Sequence, residues 1–335
     1  MKSDSISFYV QSYFMSYLIN QRGYGANTVA SYRDTFKLLF VFLKGASKIV
    51  ARLSLIDLDK ACILDFMLWL ETERKNAVST RNVRLAHFKS FFGYVLTISP
   101  ELMDHCSQII NIPFKKVEKK PPSYLSETET KTLLQTPDSN SPDGLRHMSM
   151  LTLLYDSACR VQELIGLNVA DVTLERICKL FVKGKGDKYR EIPILPETGK
   201  ILRQYINVFG LQPEQPLFLN RQGKRLTRAG ISHILNKYLH VAKTQGNDFA
   251  KDSLSAHLMR HSKASHLVNH GVNIYHIRDF LGHSSVVTTQ IYLASNPEVT
   301  RAAIEGVALR IAPDSAKYYS TEEKADLMAF LDNLV

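Results

Sequence analysis

The sequence predicts a mainly α protein, α+β in its second half: a four-helix N-terminal domain, then a mixed helical domain with a small β-sheet or hairpin. Three observations predict it. Apolar residues recur at helical spacing in four successive stretches of the first hundred residues. A Pro- and Lys-rich stretch without periodicity, PFKKVEKKPPSY at 113–124, then interrupts the pattern. Beyond it helical spacing resumes around two strand-like runs, Ile177–Lys183 and Tyr189–Ile194, that flank the turn sequence Gly184-Lys185-Gly186-Asp187.

The elements follow in order. Residues 4–21 place Ile6, Val10, Tyr13, Phe14, Tyr17 and Leu18 on one stripe, and Gly23 stops the run. Asn27 is the expected cap of a second helix with Val29, Tyr32, Phe36, Leu39, Phe40 and Leu43 along one side. Ser54 is expected to open a third, containing Leu64, Phe66, Trp69 and Leu70. Ser79 is expected to cap a fourth, with Val83, Leu85, Phe88, Phe92 and Val95 apolar and Arg81, Arg84 and Lys89 on the opposite side. That basic side suits a solvated face or a phosphate backbone. After the linker, Ser126-Glu127-Thr128-Glu129 has the spacing of a capping box, in which each side chain satisfies the other residue's free backbone N–H. Leu151, Leu153, Leu154, Val161, Leu164 and Leu167 are expected core residues around Arg160, which therefore reads as a buried cation in need of an anionic partner, with Glu163 near enough to pair.

Composition narrows the class. With 335 residues, 45% hydrophobic and 22% charged, the chain can bury two cores, which excludes a disordered chain or a rod. No apolar run is long enough to span a bilayer, and no secretory signal is legible, so a cytoplasmic protein is expected. The four cysteines, at 62, 106, 159 and 178, form no CxxC and suggest neither a disulfide framework nor a zinc ribbon. Residues 1–120 hold 17 Lys and Arg against 10 Asp and Glu, hence +7; residues 121–310 hold 23 against 17, hence +6; residues 311–335 hold 2 against 5, hence −3. Two basic bodies and an acidic tail point to a polyanion, with nucleic acid first.

Several chemistries have no seat. GKGDKY lacks the phosphate-loop pattern, and there is no GxSxG or HExxH. Six histidines lie between His257 and His283, and the pairs His257/His261 and His266/His270 are four apart. No carboxylate or thiolate joins them at ligand spacing, and Arg260 shares the face of His257, so no metal is expected. A helix capped by Ser255 and ended by Gly271 puts His257 and Arg260 on one face of its first turn. Asn273 caps a short helix that Gly282 closes, so His283 emerges at its end, and Tyr292 follows in the short amphipathic segment VVTTQIYL. Imidazoles, a guanidinium and a phenol thus converge.

This constellation resembles the tyrosine recombinase (phage integrase) family, of the simple two-domain type. The resemblance rests on Ala158-Cys159-Arg160 followed by Glu163-Leu164, on Lys185 in the Gly184–Lys188 turn, and on His257-Leu258-Met259-Arg260-His261. It continues in Leu281-Gly282-His283-Ser284 and Thr288-Thr289-Gln290-Ile291-Tyr292. The run Asn27–Arg33 and residues 5–100 resemble the family's helical core-binding domain. Two departures stand out: Ala158 where the family usually has Gly, and Ser262-Lys263-Ala264-Ser265-His266, whose Lys263 reads as surface charge.

The resemblance implies a core-binding domain over 1–112, a linker over 113–125, a catalytic domain over 126–310 and a tail over 311–335 whose amphipathic stretch packs on a neighbouring or its own protomer. It implies cleavage and rejoining of double-stranded DNA through a 3′-phosphotyrosyl bond, without ATP, metal or other cofactor. Tyr292 would be the nucleophile, Arg160, Arg260 and His283 the donors to the phosphate, His257 a helper to the phenol, and Lys185 the general acid for the 5′-oxygen. Arg81, Arg84, Lys89 and Lys188 are the expected DNA contacts. Two protomers would bind each site and four would form the synapse, with the domains closing around the duplex. A type IB topoisomerase-like enzyme that relaxes DNA and a catalytically silent DNA-binding regulator are the alternatives on the same scaffold; a metal-dependent nuclease is the third.

Overall fold

The computed structural model describes residues 5–45, 53–118, 122–184, 189–293, 325–326 and 328–329. The chain divides into two compact units, Met1–Lys119 and Lys120–Val335. Lys185 and Lys188 lie outside the described residues, as do residues 119–121 of the expected linker and most of the tail stretch.

Among its described residues the first unit is built from helices, with one isolated β-bridge between Ser5 and Ser54. The stripe over 4–21 forms α1 (Ile6–Ser12), which runs on as a π-helical segment, Tyr13–Gln21. Then come α2 (Ala26–Gly45), α3 (Lys60–Thr72), α4 (Val78–Ile98) and a fifth helix, α5 (Met103–Ile110), which periodicity had not suggested because it is only eight residues long. Three expected caps are corrected. Asn27 lies inside α2, whose entry is made by Gly25 O accepting from the N–H groups of Thr28 and Val29. Ser54 donates to Asp57 in a local turn instead of opening α3, and Asp59 caps that helix by accepting from Cys62 N at 2.8 Å. Ser79 lies in the first turn of α4, after Ala77 at the cap position. The core is aromatic: Tyr13 is fully buried, edge-on to Phe91 at 5.2 Å, and its hydroxyl donates to Ser90 Oγ. Such a buried phenol stays because its polar end finds a partner.

The basic side of α4 is not open. Arg81 is 4% exposed, with Nε 3.4 Å from the Glu71 carboxylate and Nη1 donating to Asn82, so the expectation of a phosphate contact there is corrected by its burial. Arg84 is half-buried, its pKa lowered by desolvation, and reaches Thr35 Oγ1 at 3.5 Å. Lys89 is partly exposed, with Nζ 4.5 Å from the centroid of the Phe114 ring.

In the second unit Ser126 caps α6 (Glu127–Gln135) with both hydrogen bonds of the expected box. α7 (Pro142–Asp156) and α8 (Val161–Gly166) follow, then a three-stranded antiparallel sheet of β1 (Val172–Thr173), β2 (Lys179–Lys183) and β3 (Tyr189–Pro193) in that order. The β2–β3 register pairs Lys179 with Pro193 and Lys183 with Tyr189, and Leu180, Val182 and Ile192 point into the core. α9 (Pro196–Phe209), α10 (Arg228–Thr244), α11 (Ala256–Asn269), α12 (Ile274–Leu281) and α13 (Val287–Leu293) complete the unit. Among the described residues helices thus predominate, with one small sheet. Among the described residues no helix is long and apolar enough to cross a membrane.

Two buried histidines make stability depend on pH. Burial, reinforced by Arg84 beside His87 and by Arg146 beside His147, pushes each imidazole from its ordinary 6.5 down to about 4. The folded state then binds fewer protons than the unfolded chain below pH 6.5. Their stabilising contribution is present above pH 6.5 and is lost as pH falls towards 4. The melting temperature of the DNA-free protein should drop by roughly 5 °C or more between pH 7 and pH 4.5, and His147→Gln should flatten that slope in a calorimetric pH series.

Candidate active site

The site is assembled by the ends of short helices. Ser255 caps α11, accepting from Leu258 N at 3.1 Å, so the first turn is set where the sequence places it. His257, Arg260 and His261, spaced i, i+3 and i+4, share one side of that helix. Arg260 is 1% exposed. A buried guanidinium without partners would be prohibitive. Here Nη1 donates to Ala158 O and Nη2 to Leu281 O, both at 2.7 Å.

Arg160 departs from expectation. Its side chain is 43% exposed, so the enclosed guanidinium of the pair is Arg260. Arg160 stands at the N-terminal edge of α8, where its backbone N–H donates to Glu163 Oε2 at 2.8 Å and Nη1 to Glu163 Oε1 at 2.9 Å. Nη2 reaches Gly282 O at 3.1 Å. The two guanidiniums therefore meet on consecutive carbonyls, 281 and 282, at the end of α12. Helix-terminal carbonyls lack partners within the helix and carry its negative dipole end, so cations are favoured there.

Gly282 makes that turn possible. Its φ is +64°, and a Cβ at this position would lie 2.9 Å from the Arg190 guanidinium. The left-handed residue ends α12, and His283, which follows it, has Nδ1 2.9 Å from Thr289 Oγ1 on α13. α13 also carries Tyr292, which is 2% exposed and packs in a small apolar cluster with Ala158, Ala264, Val268, Ile277 and Leu281. The Tyr292 hydroxyl lies 2.7 Å from His261 Nδ1, and the ring of His257 stacks edge-on behind His261 at 4.2 Å. The imidazole at the phenol is thus His261, not the expected His257.

The cluster is cationic, and its charges act on one another. Burial, then Arg160, lowers the Arg260 pKa to about 10. Burial, then Arg260 and Arg160, pushes His283 down to about 4. His261 also falls to about 4, through burial and then His257 and Arg260, and His257 is lowered by burial and by both guanidiniums. All three imidazoles are therefore neutral near pH 7. Burial raises the Tyr292 phenol while Arg260 opposes that rise, so the phenol also stays protonated.

The structure thus gathers Arg160, His257, Arg260, His283 and Tyr292. Lys185 belongs to the segment between β2 and β3 and lies outside the described residues, with Lys188. Two residues that the sequence does not mark for this site join it. His261 stands inside the motif, where its spacing from His257 points only to a metal pair. Arg190, two residues beyond Lys188, holds both oxygens of Glu163 through Nη1 and Nη2 at 3.0 and 2.9 Å. Burial raises the Glu163 pKa, but the Arg190 bonds and the Arg160 backbone N–H outweigh it and hold the carboxyl below its ordinary value. Arg190→Ala would leave this buried carboxylate with one cation; it should lower stability by about 3 kcal/mol in urea unfolding and weaken any activity that depends on Arg160. Among the described residues no three His, Cys, Asp or Glu side chains are grouped to hold a metal ion.

Comparison with known proteins places this architecture. Residues 123–298 match the phage integrase family, and residues 12–97 match the phage integrase N-terminal SAM-like domain. The chain belongs to the phage integrase family, the tyrosine recombinases. It is 31% identical over 334 residues to y4rC of Sinorhizobium fredii, which bears an integrase/recombinase name, covering 99% of each chain. It is 34% identical to the tyrosine recombinase XerC of a Roseiflexus species over 84% of this chain and 88% of that one. It is 31% identical to the tyrosine recombinase XerD of Pseudomonas aeruginosa over 90% and 96%. In fold it is similar to the Tn1549 transposon integrase in complex with transposon right end DNA. That likeness has a TM-score of 0.67 and 18% identity over 90% of this chain and 99% of that one. The XerH site-specific recombinase bound to its palindromic difH substrate gives a TM-score of 0.65 and 22% identity over 84% and 81%.

Proposed function

We propose that the chain is a site-specific DNA recombinase that breaks and rejoins strands through Tyr292. The observation that carries this is the Tyr292 hydroxyl, 2.7 Å from a neutral imidazole and on the same short helix whose Thr289 hydroxyl lies 2.9 Å from His283 Nδ1. Arg160 and Arg260 offer planar forks to the nonbridging oxygens of a phosphodiester, which a Lys could not match. His283 adds a donor. The phenol passes its proton to His261 Nδ1 as its oxygen attacks phosphorus, and the bond to the 5′-oxygen breaks with a proton supplied by Lys185. The new 3′-phosphotyrosyl bond keeps the linkage energy, so rejoining needs no ATP. His257 supports His261 from behind, and Glu163 with Arg190 holds Arg160 in place.

The partner in this reading is double-stranded DNA, held by Arg84, Lys89 and Lys188 among other cations. Two protomers occupy each site, four form the synapse, and the reaction takes place in the cytoplasm. The domains are those expected over 1–112 and 126–310, with the linker over 113–125 between them. Relatives named as recombinases, and structural neighbours bound to their DNA, support the assignment. The test is a suicide DNA substrate that releases a short fragment on cleavage. A covalent protein–DNA band whose modified peptide contains Tyr292 is expected; a band mapping to another residue overturns the assignment. DNA affinity should fall steeply between 50 and 200 mM salt, about 10³-fold if six phosphates are contacted.

A further inference from the structure

Outside the residues already assigned, one buried ion pair joins the helix that carries Arg260 to the turn that carries Arg160. Asp156 is the last residue of α7 and is 4% exposed. Its Oδ2 accepts from Leu195 N at 2.7 Å and from Thr198 Oγ1 at 2.9 Å, which ties the start of α9 to the end of α7. Its Oδ1 accepts from Lys263 Nζ at 3.2 Å. Lys263 follows Arg260 by three residues on α11. Its side chain is 15% exposed and its Nζ lies 5.0 Å from the centroid of the Tyr155 ring. The expectation that Lys263 is surface charge therefore fails: its ammonium is enclosed between a carboxylate and an aromatic face.

Two residues beyond Asp156 the backbone is strained. Ala158 has a φ of +47°, one of two non-glycine residues with positive φ among those described. A left-handed backbone is costly for any residue with a Cβ, and it persists only where the surroundings hold it. Those surroundings are on α11. Arg260 holds the Ala158 carbonyl, and Lys263, on the same side of the helix, holds Asp156. Arg160 comes two residues after the strained position.

We propose that Lys263 and Asp156 form a clamp that keeps the turn at Ala158 left-handed and thereby positions the Arg160 guanidinium for reaction at Tyr292. The inference rests on the recombinase reading above. Lys263 touches no reacting atom; it is a positioning residue. Two attachments from α11, at 156 and 158, fix the turn in place, whereas one alone lets it pivot about the Arg260–Ala158 bond. A buried ion pair adds little net stability compared with apolar packing, so geometry is the property this pair controls. If so, a backbone that adopts φ > 0 without strain should make the clamp dispensable, and glycine at 158 supplies it.

The experiment measures single-turnover formation of the covalent complex on the suicide substrate, at saturating DNA, with DNA affinity and melting temperature recorded for each variant. Lys263→Met is expected to slow cleavage about tenfold, the scale of a sub-ångström displacement at a reacting centre, with DNA affinity unchanged. Lys263→Arg keeps the ion pair and should stay near the wild-type rate. The double variant Ala158→Gly, Lys263→Met should recover most of the loss. Undiminished cleavage by Lys263→Met, or an equal loss in the glycine background, overturns the inference. If Lys263→Met alone does not fold, the double variant decides: folding and cleavage support the clamp, and failure to fold overturns it. Absence of a covalent product from the wild-type chain would overturn the recombinase reading and the clamp together.

Discussion

The Tyr292→Phe protein should fold, bind DNA and form no covalent complex. The substitution removes one oxygen from a ring that is 2% exposed, so the apolar contacts of that ring with Ala158, Val268 and Leu281 are kept. What is lost is the hydroxyl and its 2.7 Å bond to His261. Losing a hydrogen bond whose other partner is half-buried costs about 1 kcal/mol of stability, a shift of a few degrees in melting temperature. On the proposed mechanism the lost hydroxyl is the nucleophile, so strand cleavage should fall on the order of 10⁴-fold or more. The measurement is gel detection of protein–DNA adduct beside a binding isotherm for the same preparation. Residual adduct at more than a few per cent of wild type would mean another side chain attacks phosphorus.

Arg260→Lys is expected to have the second largest effect, and for a geometric reason. Lysine keeps a positive charge but presents a point ammonium where arginine presents a planar fork. Arg260 now reaches two carbonyls 123 residues apart in the chain, Ala158 O and Leu281 O, and on the proposed mechanism its remaining N–H capacity serves a phosphate. One ammonium cannot hold both carbonyls at these positions and also turn to a substrate. Cleavage should fall by roughly 10²–10³-fold, the scale seen when a donor to a developing oxyanion is removed. Stability should fall by about 1–3 kcal/mol, because a buried carbonyl is left without its partner. Rate and urea midpoint measured together separate the two effects: at temperatures where Arg260→Lys is fully folded, the rate deficit must persist. Recovery of the wild-type rate there would show that Arg260 acts only by holding the fold.

Much of the site was legible in the amino-acid order because it is built from local signals. Ser126 with Glu129, Ser255, Asn273 and Gly282 are caps and stops whose chemistry acts within four residues, and the structure has each where the spacing puts it. The i, i+3 relation of His257 and Arg260 is likewise a property of one helix. The misplaced elements show the limit of the same logic. Ser54 and Asn27 are good cap residues, but Ser54 is held by Asp57 and Asn27 lies two residues past Gly25, where α2 is entered, so other residues begin α3 and α2.

Burial of charge was the part that spacing could not supply. Arg160 sits among leucines in the chain and is nonetheless half open, because it projects from the edge of a six-residue helix. Arg81 was grouped with Arg84 and Lys89 by helical angle alone, but Glu71 on α3 draws it inward. Lys263 is interior only because α11 packs against the end of α7. Each of these outcomes depends on a residue between 10 and 122 positions away, and a periodic pattern within one helix carries no information about such a partner.

By itself, the amino-acid order determined the helical class, the caps of α6, α11 and α12, the two strands β2 and β3 that pair antiparallel, and which residue types converge in the second unit. Those features come from hydrogen bonds and steric preferences that act over a few neighbouring residues. Only the tertiary structure decided that His261 faces the phenol, that Arg260 is the enclosed guanidinium, that Arg190 shares the carboxylate of Arg160, and that Lys263 is enclosed with Asp156. These pairings depend on which helix ends meet in space, where a desolvated charge must find an opposite charge or a free carbonyl.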